Sequence, residues 1–526
     1  METSKTRVFD MSDRYILALD HGTSAMKAAL VTVTGRIVGF TSEKSATRLL
    51  ANGGAEQDTA QWWESLKKVC RTILDSTGVS PEDIEALSVS SMFSTTVAVD
   101  EKGEAVMPAL LWMDGRGEPY VRRAMDGWPK IMDYGVSKAL SFVRKTGGAP
   151  TLTGKDDIGH VLFVKHALPE IYEKTAWFLS SKDYLNFRLT GKCAASADSM
   201  TLFWVVDSRD INNLRYDEKL CRVFGIDAEK LPPLVPSTHI LGPLLPEVAR
   251  ELGLSEKTVV AASSPDHQCA GVGAGCVEDF SGHIYIGTSS WVQCVVPFKK
   301  TDILHSIASL PTSVPGKYYA ANEQDTAGGC LVFLQKILAA GGVDIPSFEK
   351  INALAASSPP GSGGVMFLPW LNGERSPVDD GNLRGGFFNL SCGTETGDLA
   401  RAVMEGVALN LRWSLKYVER FIGRKMDPLR FVGGGALSDL WCQIIADVLD
   451  RTILRMEEPI QANARGAALI ASVGLGRIKF SDIPALVPVN REFSPQPMNR
   501  DLYDGLFSAF LTFHRKNRGL FHRLNG

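Results

Sequence analysis

The chain has 526 residues, 44% of them hydrophobic and 22% charged, enough for about two to four domains with their own cores. Lys plus Arg number 56 against 59 Asp plus Glu, a formal charge of −3, so the charge balance does not point to nucleic acid or another polyanion. The 49 glycines and 26 prolines exclude collagen-like and low-complexity readings of the whole chain, and the nine scattered cysteines, with no Cys-x-x-Cys pair, read as reduced and mostly buried thiols.

Met1 to Arg14 mixes acids and bases and has no apolar signal-peptide core. The charge-free stretch from Phe280 to Phe298 holds too many hydroxyls, glycines and amides to span a bilayer, so a cytoplasmic protein is expected. The apolar run Tyr15 to Asp20, the turn His21-Gly-Thr-Ser24, Met26 to Val33, and Ile37 to Glu43 predict two successive hairpins. Asp58, with Gln61 three residues on and Trp62, Leu66, Val69, Cys70 and Ile73 behind it, predicts a capped amphipathic helix, followed by a strand at Leu87 to Val89. Strands followed by helices indicate an α/β layered domain.

Between about 121 and 162 the pattern weakens and loop signals cluster, which predicts an insertion acting as a lid or wall. A proline-rich stretch then precedes a helix at Val248 to Leu252 and a buried strand at Val259 to Ala262, which ends in Ser263-Ser-Pro-Asp266. The second half opens like the first, since Gly22-Thr23-Ser24 recurs as Gly287-Thr288-Ser289 between two predicted strands, which suggests two similar domains facing each other. Gly433-Gly-Gly-Ala436 follows a strand at Leu429 to Val432 and precedes a helix that Ser438 can cap. The tail after Asn490 reads as a packing helix.

A Gly-Thr-Ser turn between strands can gather backbone N–H groups and hydroxyls on one point, which makes it either a phosphate cradle or a plain hairpin turn. Asp20, just before the first such turn, can hold Mg²⁺ directly or through water, or cap the turn. Asp266 follows an apolar strand and precedes the glycines of Gly271-Val-Gly-Ala-Gly275; from position alone it is either a proton acceptor or a helix cap. His267 beside it reads as an orienting or core histidine, because no second His or Cys lies at ligand spacing. Dinucleotide and P-loop motifs both fail: Ser438 stands where the third glycine would be needed, and Gly154-Lys155 and Gly191-Lys192 are followed by Asp156 and Cys193.

Taken in order, Asp20-His-Gly-Thr-Ser24 with Lys27, Glu56-Gln57-Asp58 with Trp62-Trp63, Trp112-Met-Asp-Gly-Arg116, Asp266 and its glycines, Gly287-Thr-Ser289, Gly373-Glu-Arg-Ser-Pro377, Arg401 to Gly406, Gly433 to Ser438 and Arg465-Gly-Ala-Ala468 resemble the FGGY carbohydrate kinases. These are sugar and polyol kinases of the actin, hexokinase and heat-shock ATPase superfamily. The resemblance implies an α/β fold of two ribonuclease-H-like domains flanking a catalytic cleft: residues 14–275 as the sugar-binding N-terminal domain, 276–490 as the nucleotide-binding C-terminal domain, and 491–526 as a helical tail. It implies ATP and Mg²⁺, with Asp266 as the base that deprotonates the acceptor hydroxyl and Asp20 as the metal-side carboxylate. Gly22, Thr23, Ser24, Lys27, Gly287, Thr288, Ser289 and Gly329 then fall on the phosphate side and Gly434, Gly435 and Ala436 on the adenosine side, with Asp20, Phe93, Ser94, Trp112 and His267 on the sugar side.

The departures concern the sugar. Met92-Phe93-Ser94-Thr95 stands where xylulose kinases carry Gln-Met-His-Gly, and Phe93-Ser94 where glycerol kinases carry an Arg-Glu pair, so the expected pocket floor is more apolar than in either. His160 and Phe163 replace a family Lys and Trp, and Asp266-His267 replaces Asp-Asn. The favoured reading is ATP-dependent phosphorylation of a sugar or polyol, a ketopentose such as xylulose first. The alternatives are another polyol or sugar acid as acceptor, or a nucleotide-binding regulatory protein of the same fold. The partner expected is the small-molecule acceptor, with no nucleic acid and no membrane, and a homodimer is an open option.

Overall fold

The computed structural model describes residues 14–339 and 344–526. They form two compact units: unit 1 holds the chain up to Gly275, Leu310–Gly316 and Asn463–Leu486, and unit 2 holds Cys276–Ser309, Lys317–Ala462 and Val487–Gly526. A division of the sequence in linear order misses the return of 463–486 to unit 1, and the C-terminal tail belongs to unit 2.

Unit 1 is built on a six-stranded sheet made of β1 (Tyr15–His21), β2 (Ala25–Thr32), β3 (Ile37–Lys44), β4 (Ile84–Ser91), β5 (Ile240–Pro243) and β6 (Val259–Ala261), in the order β5-β6-β4-β1-β2-β3. The two predicted hairpins are the antiparallel pairs β1/β2 and β2/β3, while β1/β4 and β4/β6 are parallel. Every residue of β1 is buried, as an unbroken apolar run requires when both faces of a strand are covered. The Asp58 carboxylate accepts from the Ala60 N–H and starts the Thr59–Thr77 helix, whose Trp62, Leu66, Val69 and Ile73 pack into the same core as Leu17, Leu19 and Leu87.

Unit 2 repeats this plan. β7 (Gly282–Ile286), β8 (Ser290–Val296), β9 (Tyr318–Gln324), β10 (Leu429–Val432) and β11 (Ile453–Met456) are the middle strands of an eight-stranded sheet, in the order β9-β8-β7-β10-β11. Pairs β7/β8 and β8/β9 are antiparallel, and β7/β10 and β10/β11 parallel, matching β3-β2-β1-β4-β6 strand for strand. The recurrence of Gly-Thr-Ser in the sequence therefore reflects a repeated topology.

The segment expected as a loop-rich insertion, 121–162, is mostly helical. The Glu118–Met125, Val136–Thr146 and Asp157–Ala167 helices put Val121, Met125, Phe142, Ile158 and Leu162 into a second core with Phe178, Met200 and Phe203. The Asp157–Ala167 helix is buried nearly all round, so it has no apolar stripe for a periodicity reading to detect. In unit 2 the Arg500–Asn525 helix packs Phe510 and His514 against Trp370 and Trp413. No helix among the described residues is long and apolar enough to cross a membrane.

Candidate active site

In unit 1 the chain leaves the carboxyl ends of the parallel strands β1, β4 and β6 through Asp20 to Ser24, Met92 to Ser94, and Ser263 to His267 respectively. The carboxyl ends of parallel strands are where open α/β sheets gather ligand-binding loops.

Asp20 is 3% exposed, and its carboxylate accepts from Lys27 Nζ at 3.1 Å and from Asn463 Nδ2 at 3.4 Å to each oxygen. The Gly22 N–H closes its turn on the Ala25 carbonyl at 3.0 Å. Thr23 is gripped from three sides: Trp112 Nε1 donates to its Oγ1 at 3.0 Å, its Oγ1 lies 3.3 Å from Met92 Sδ, and Gln57 Nε2 donates to its carbonyl at 2.8 Å. Gln57 in turn accepts from Trp62 Nε1 at 2.8 Å, and Trp62 meets the His21 ring edge-on at 4.4 Å. Full burial lowers the His21 pKa to about 4, so a neutral imidazole backs the Asp20 turn.

Asp266 is the first residue of the Asp266–Gly273 helix, one past its N-cap Pro265, and its Oδ1 accepts from the His267 N–H at 2.9 Å. Its side chain is half-buried, as is that of His267, whose ring stands edge-on to Phe93 with centroids 5.9 Å apart. Ser94 is buried in a left-handed backbone conformation (φ 51°) and donates its hydroxyl to the Lys155 carbonyl at 2.8 Å. Phe93 and His267 are thus brought together, while the Ser94 hydroxyl is spent on main chain.

Unit 2 carries the second set. The Gly287 N–H closes its turn on the Ser289 carbonyl at 2.9 Å, and the Gly328 and Gly329 N–H groups donate to the Gly287 and Thr288 carbonyls at 3.0 and 3.1 Å, seating the Gly328–Leu338 helix on the turn. A Cβ at position 328 would lie 2.3 Å from the Gly287 oxygen, so that approach requires glycine. In both Gly-Thr-Ser turns the glycine N–H is spent on closing the turn. Gly433 follows β10 at φ 91° with its would-be Cβ 2.4 Å from the Ile286 oxygen, whereas Gly434 is exposed with nothing within 4 Å. Gly435 and Ala436 are buried beneath it, and Ser438 caps the Asp439–Leu449 helix through the Trp441 N–H at 3.0 Å.

One contributor, Asn463, escapes a reading of the sequence, while Glu374 belongs to the Gly373-Glu-Arg-Ser-Pro377 stretch already singled out there. Asn463, just before Arg465-Gly-Ala-Ala468, reaches Asp20 from the far end of the chain. Glu374 is 2% exposed and accepts from Asn410 Nδ2 at 2.6 Å and from the Asp325 and Arg375 N–H groups at 3.1 and 3.0 Å, and burial pushes its carboxyl up to about 8.

The donor set bears on the metal. Among the described residues no three His, Cys, Asp or Glu side chains converge as a metal cage, and the turn from Asp20 to Ser24 carries the single carboxylate of Asp20. Mg²⁺ keeps most of its waters and takes one or two carboxylates together with substrate phosphates, so the lone carboxylate of Asp20 would suit it.

The chain is similar to known proteins over nearly its whole length. Residues 15–273 match the FGGY family of carbohydrate kinases, N-terminal domain, and residues 282–475 match its C-terminal domain. The xylulose kinase of Staphylococcus epidermidis is 32% identical over 515 residues, covering 97% of this chain and 98% of that protein. Crystal structures of a gluconate kinase and a ligand-bound xylulose kinase from Lactobacillus acidophilus each superpose with a TM-score of 0.84 at 23% identity, covering 98% and 97% of this chain and all of theirs. The equal scores establish the fold without separating the two acceptors. The chain belongs to the FGGY family of carbohydrate kinases.

Proposed function

We propose that this kinase transfers the γ-phosphoryl group of ATP to a hydroxyl of a ketopentose, xylulose first, with Asp266 as the general base. The observation that carries the reading is the gathering of Asp20, Phe93 and Asp266-His267 at the carboxyl ends of three parallel strands of one sheet. Similarity over nearly full length to a xylulose kinase supports the acceptor class.

The roles follow from the chemistry of phosphoryl transfer, where positioning and charge neutralisation dominate. Asp266 takes the proton from the acceptor hydroxyl as that oxygen bonds to the γ-phosphorus; the bond to the β–γ bridging oxygen breaks and ADP leaves. In unit 1 the Thr23-Ser24 turn is the proposed phosphate contact, with Lys27 adding a positive charge; unit 2 offers its own Thr288-Ser289 turn, and the exposed backbone of Gly434, seated on Gly435 and Ala436, to a nucleoside. Asp20 would hold Mg²⁺, directly or through water, and the charge of the ion would offset that of the phosphates. Trp112 orders the Thr23 turn, and Phe93 with His267 forms an apolar wall for the carbon skeleton of the acceptor.

The test is ADP release with ATP and Mg²⁺ across ketopentoses, ketohexoses, polyols, aldonates and glycerol, with Asp266→Asn as the blank. Turnover led by a ketopentose and lost in the variant is expected. Turnover led by an aldonate would move the acceptor to a sugar acid, and ATP binding with no acceptor-stimulated turnover would replace the kinase reading with a regulatory one.

A further inference from the structure

Behind Asp266 lies a polar network that the reaction does not consume. The link from β6 to the Asp266–Gly273 helix is Ala262-Ser-Ser-Pro265, and all of it is buried. Ser263 sits at φ 59°, a left-handed conformation that costs a non-glycine residue of order 1 kcal/mol and persists only where its surroundings enforce it. The enforcement is visible. The Ala262 carbonyl accepts from Lys182 Nζ at 3.2 Å and from Asn186 Nδ2 at 3.0 Å, both on the Ser181–Thr190 helix. The Ser263 N–H donates to the Ser237 carbonyl at 2.8 Å. The Ser264 hydroxyl donates to Asp198 Oδ2 at 2.5 Å, and the Ser264 carbonyl accepts from Cys269 Sγ at 3.1 Å.

Asp198 is the unusual member. It is 2% exposed, and its carboxylate meets the Ser264 hydroxyl, the more distant Ser237 hydroxyl at 3.5 Å and the Ser196 side chain, within the opposing fields of Lys182 and Asp183. Burial pushes its pKa up while Lys182 and the serines pull it down. Lys182 is itself fully buried and paired with Asp183, whose other oxygen accepts from Ser180 and Ser199 at 2.6 and 2.5 Å. Burying two carboxylates and an ammonium is a poor route to stability, because desolvation offsets most of the attraction. It is a good route to a unique backbone path, since each group demands its partner in one place.

We propose that Asp198 is a positioning residue for phosphoryl transfer: by holding the Ser264 hydroxyl it fixes the last turn of backbone before Asp266 and so the aim of the Asp266 carboxylate. The inference rests on Asp266 being the base. Asp198 touches neither acceptor nor nucleotide, so its loss acts on the rate of the chemical step, where misplacement by about 1 Å costs about 100-fold.

The experiment measures ADP release from ATP, Mg²⁺ and a mixture of ketopentoses, pentitols, aldonates and glycerol for Asp198→Ala, Asp198→Asn and Ser264→Ala, each alone and combined with Asp266→Asn, alongside thermal melting. Asp198→Ala is expected to lower kcat by at least about 30-fold with the KM for ATP held within about twofold. Asp198→Asn, which keeps an oxygen acceptor for Ser264, is expected to recover most of the rate, and Ser264→Ala to reproduce the loss should Asp198→Ala fail to fold. In the Asp266→Asn background Asp198→Ala is expected to cost nothing further, a non-additivity that a merely structural role would not produce. A near-native rate for Asp198→Ala or Ser264→Ala, or the same fold-loss with and without Asp266, overturns the inference. A near-native rate for Asp266→Asn, or no turnover by the native chain, overturns the function on which it rests.

Discussion

The Asn463 side-chain amide lies 3.4 Å from both carboxylate oxygens of Asp20, a residue 443 positions away in the chain. With Lys27 on the same carboxylate, the amide holds Asp20 in a fixed orientation beside the Gly22-Thr23-Ser24 turn. A carboxylate held by one amide and one ammonium has a fixed orientation, which the proposed metal role of Asp20 would use.

Asn463→Leu removes that amide and leaves a buried carboxylate with one fewer donor, worth about 1 kcal/mol or about fivefold. The expected outcome is a rise of that size in the Mg²⁺ concentration for half-maximal turnover, read by titrating Mg²⁺ at saturating ATP. An unchanged midpoint would remove Asp20 from the metal role.

Gly433 and Gly434 are adjacent and structurally opposite. Gly433→Ala forces a Cβ to 2.4 Å from the Ile286 oxygen at φ 91°, so it is expected to lower stability by about 2 kcal/mol or more and to weaken ATP binding. Gly434→Ala meets open space and is expected to change stability by less than about 0.5 kcal/mol, with any effect confined to nucleotide affinity. Urea melts and equilibrium ATP binding on the two variants check this, and equal stability losses would contradict it.

Phe93 meets His267 edge-on beside Asp266. If the pair walls the acceptor, Phe93→Ala raises the KM for the sugar by about tenfold while leaving that for ATP within about twofold. Initial-rate kinetics varying each substrate in turn would show it, and an ATP-side effect alone would take Phe93 out of the acceptor site.

His21 and His160 are fully buried, and burial lowers both to about 4 from an ordinary 6.5. Both are neutral in the fold, and the unfolded chain binds their protons more readily between those values. Their contribution is therefore complete above pH 6.5 and lost as pH falls towards 4, up to about 3 kcal/mol each. Asp157 and Glu374, with carboxyls pushed up to about 7 and about 8, act with the opposite sign, stabilising at low pH and losing that contribution as pH rises through those values. The informative quantity is the difference between the native chain and His21→Gln. Urea midpoints at pH 7 and pH 5 are expected to move less in the variant, and an identical shift in both would show that His21 is not a buried neutral imidazole.

The sequence revealed those parts of the fold whose signal is local. The Asp58 and Ser438 caps, the β1 to β3 hairpins and the Gly-Thr-Ser turns each lie within a few residues of their partners, so spacing and turn chemistry were enough. The Asp157–Ala167 helix at the end of the 121–162 segment was illegible because it is buried nearly all round, polar Asp157 and His160 included, and shows no apolar period. Asn463 and Asp198 were illegible for a different reason: each is a single polar residue whose meaning lies in a partner far along the chain, Asp20 and Ser264. The contact of Phe93 with His267 needed the β4 and β6 ends to be brought together before the two rings could meet.

The most direct test of the account is the rate of acceptor-dependent ADP release by the native chain and by Asp266→Asn, with D-xylulose, ATP and Mg²⁺, alongside ATP binding to both. The account predicts turnover by the native chain and a loss of at least about 100-fold in the variant, with ATP affinity unchanged. Near-equal rates for the two proteins, or ATP binding with no xylulose-stimulated release from either, would contradict it.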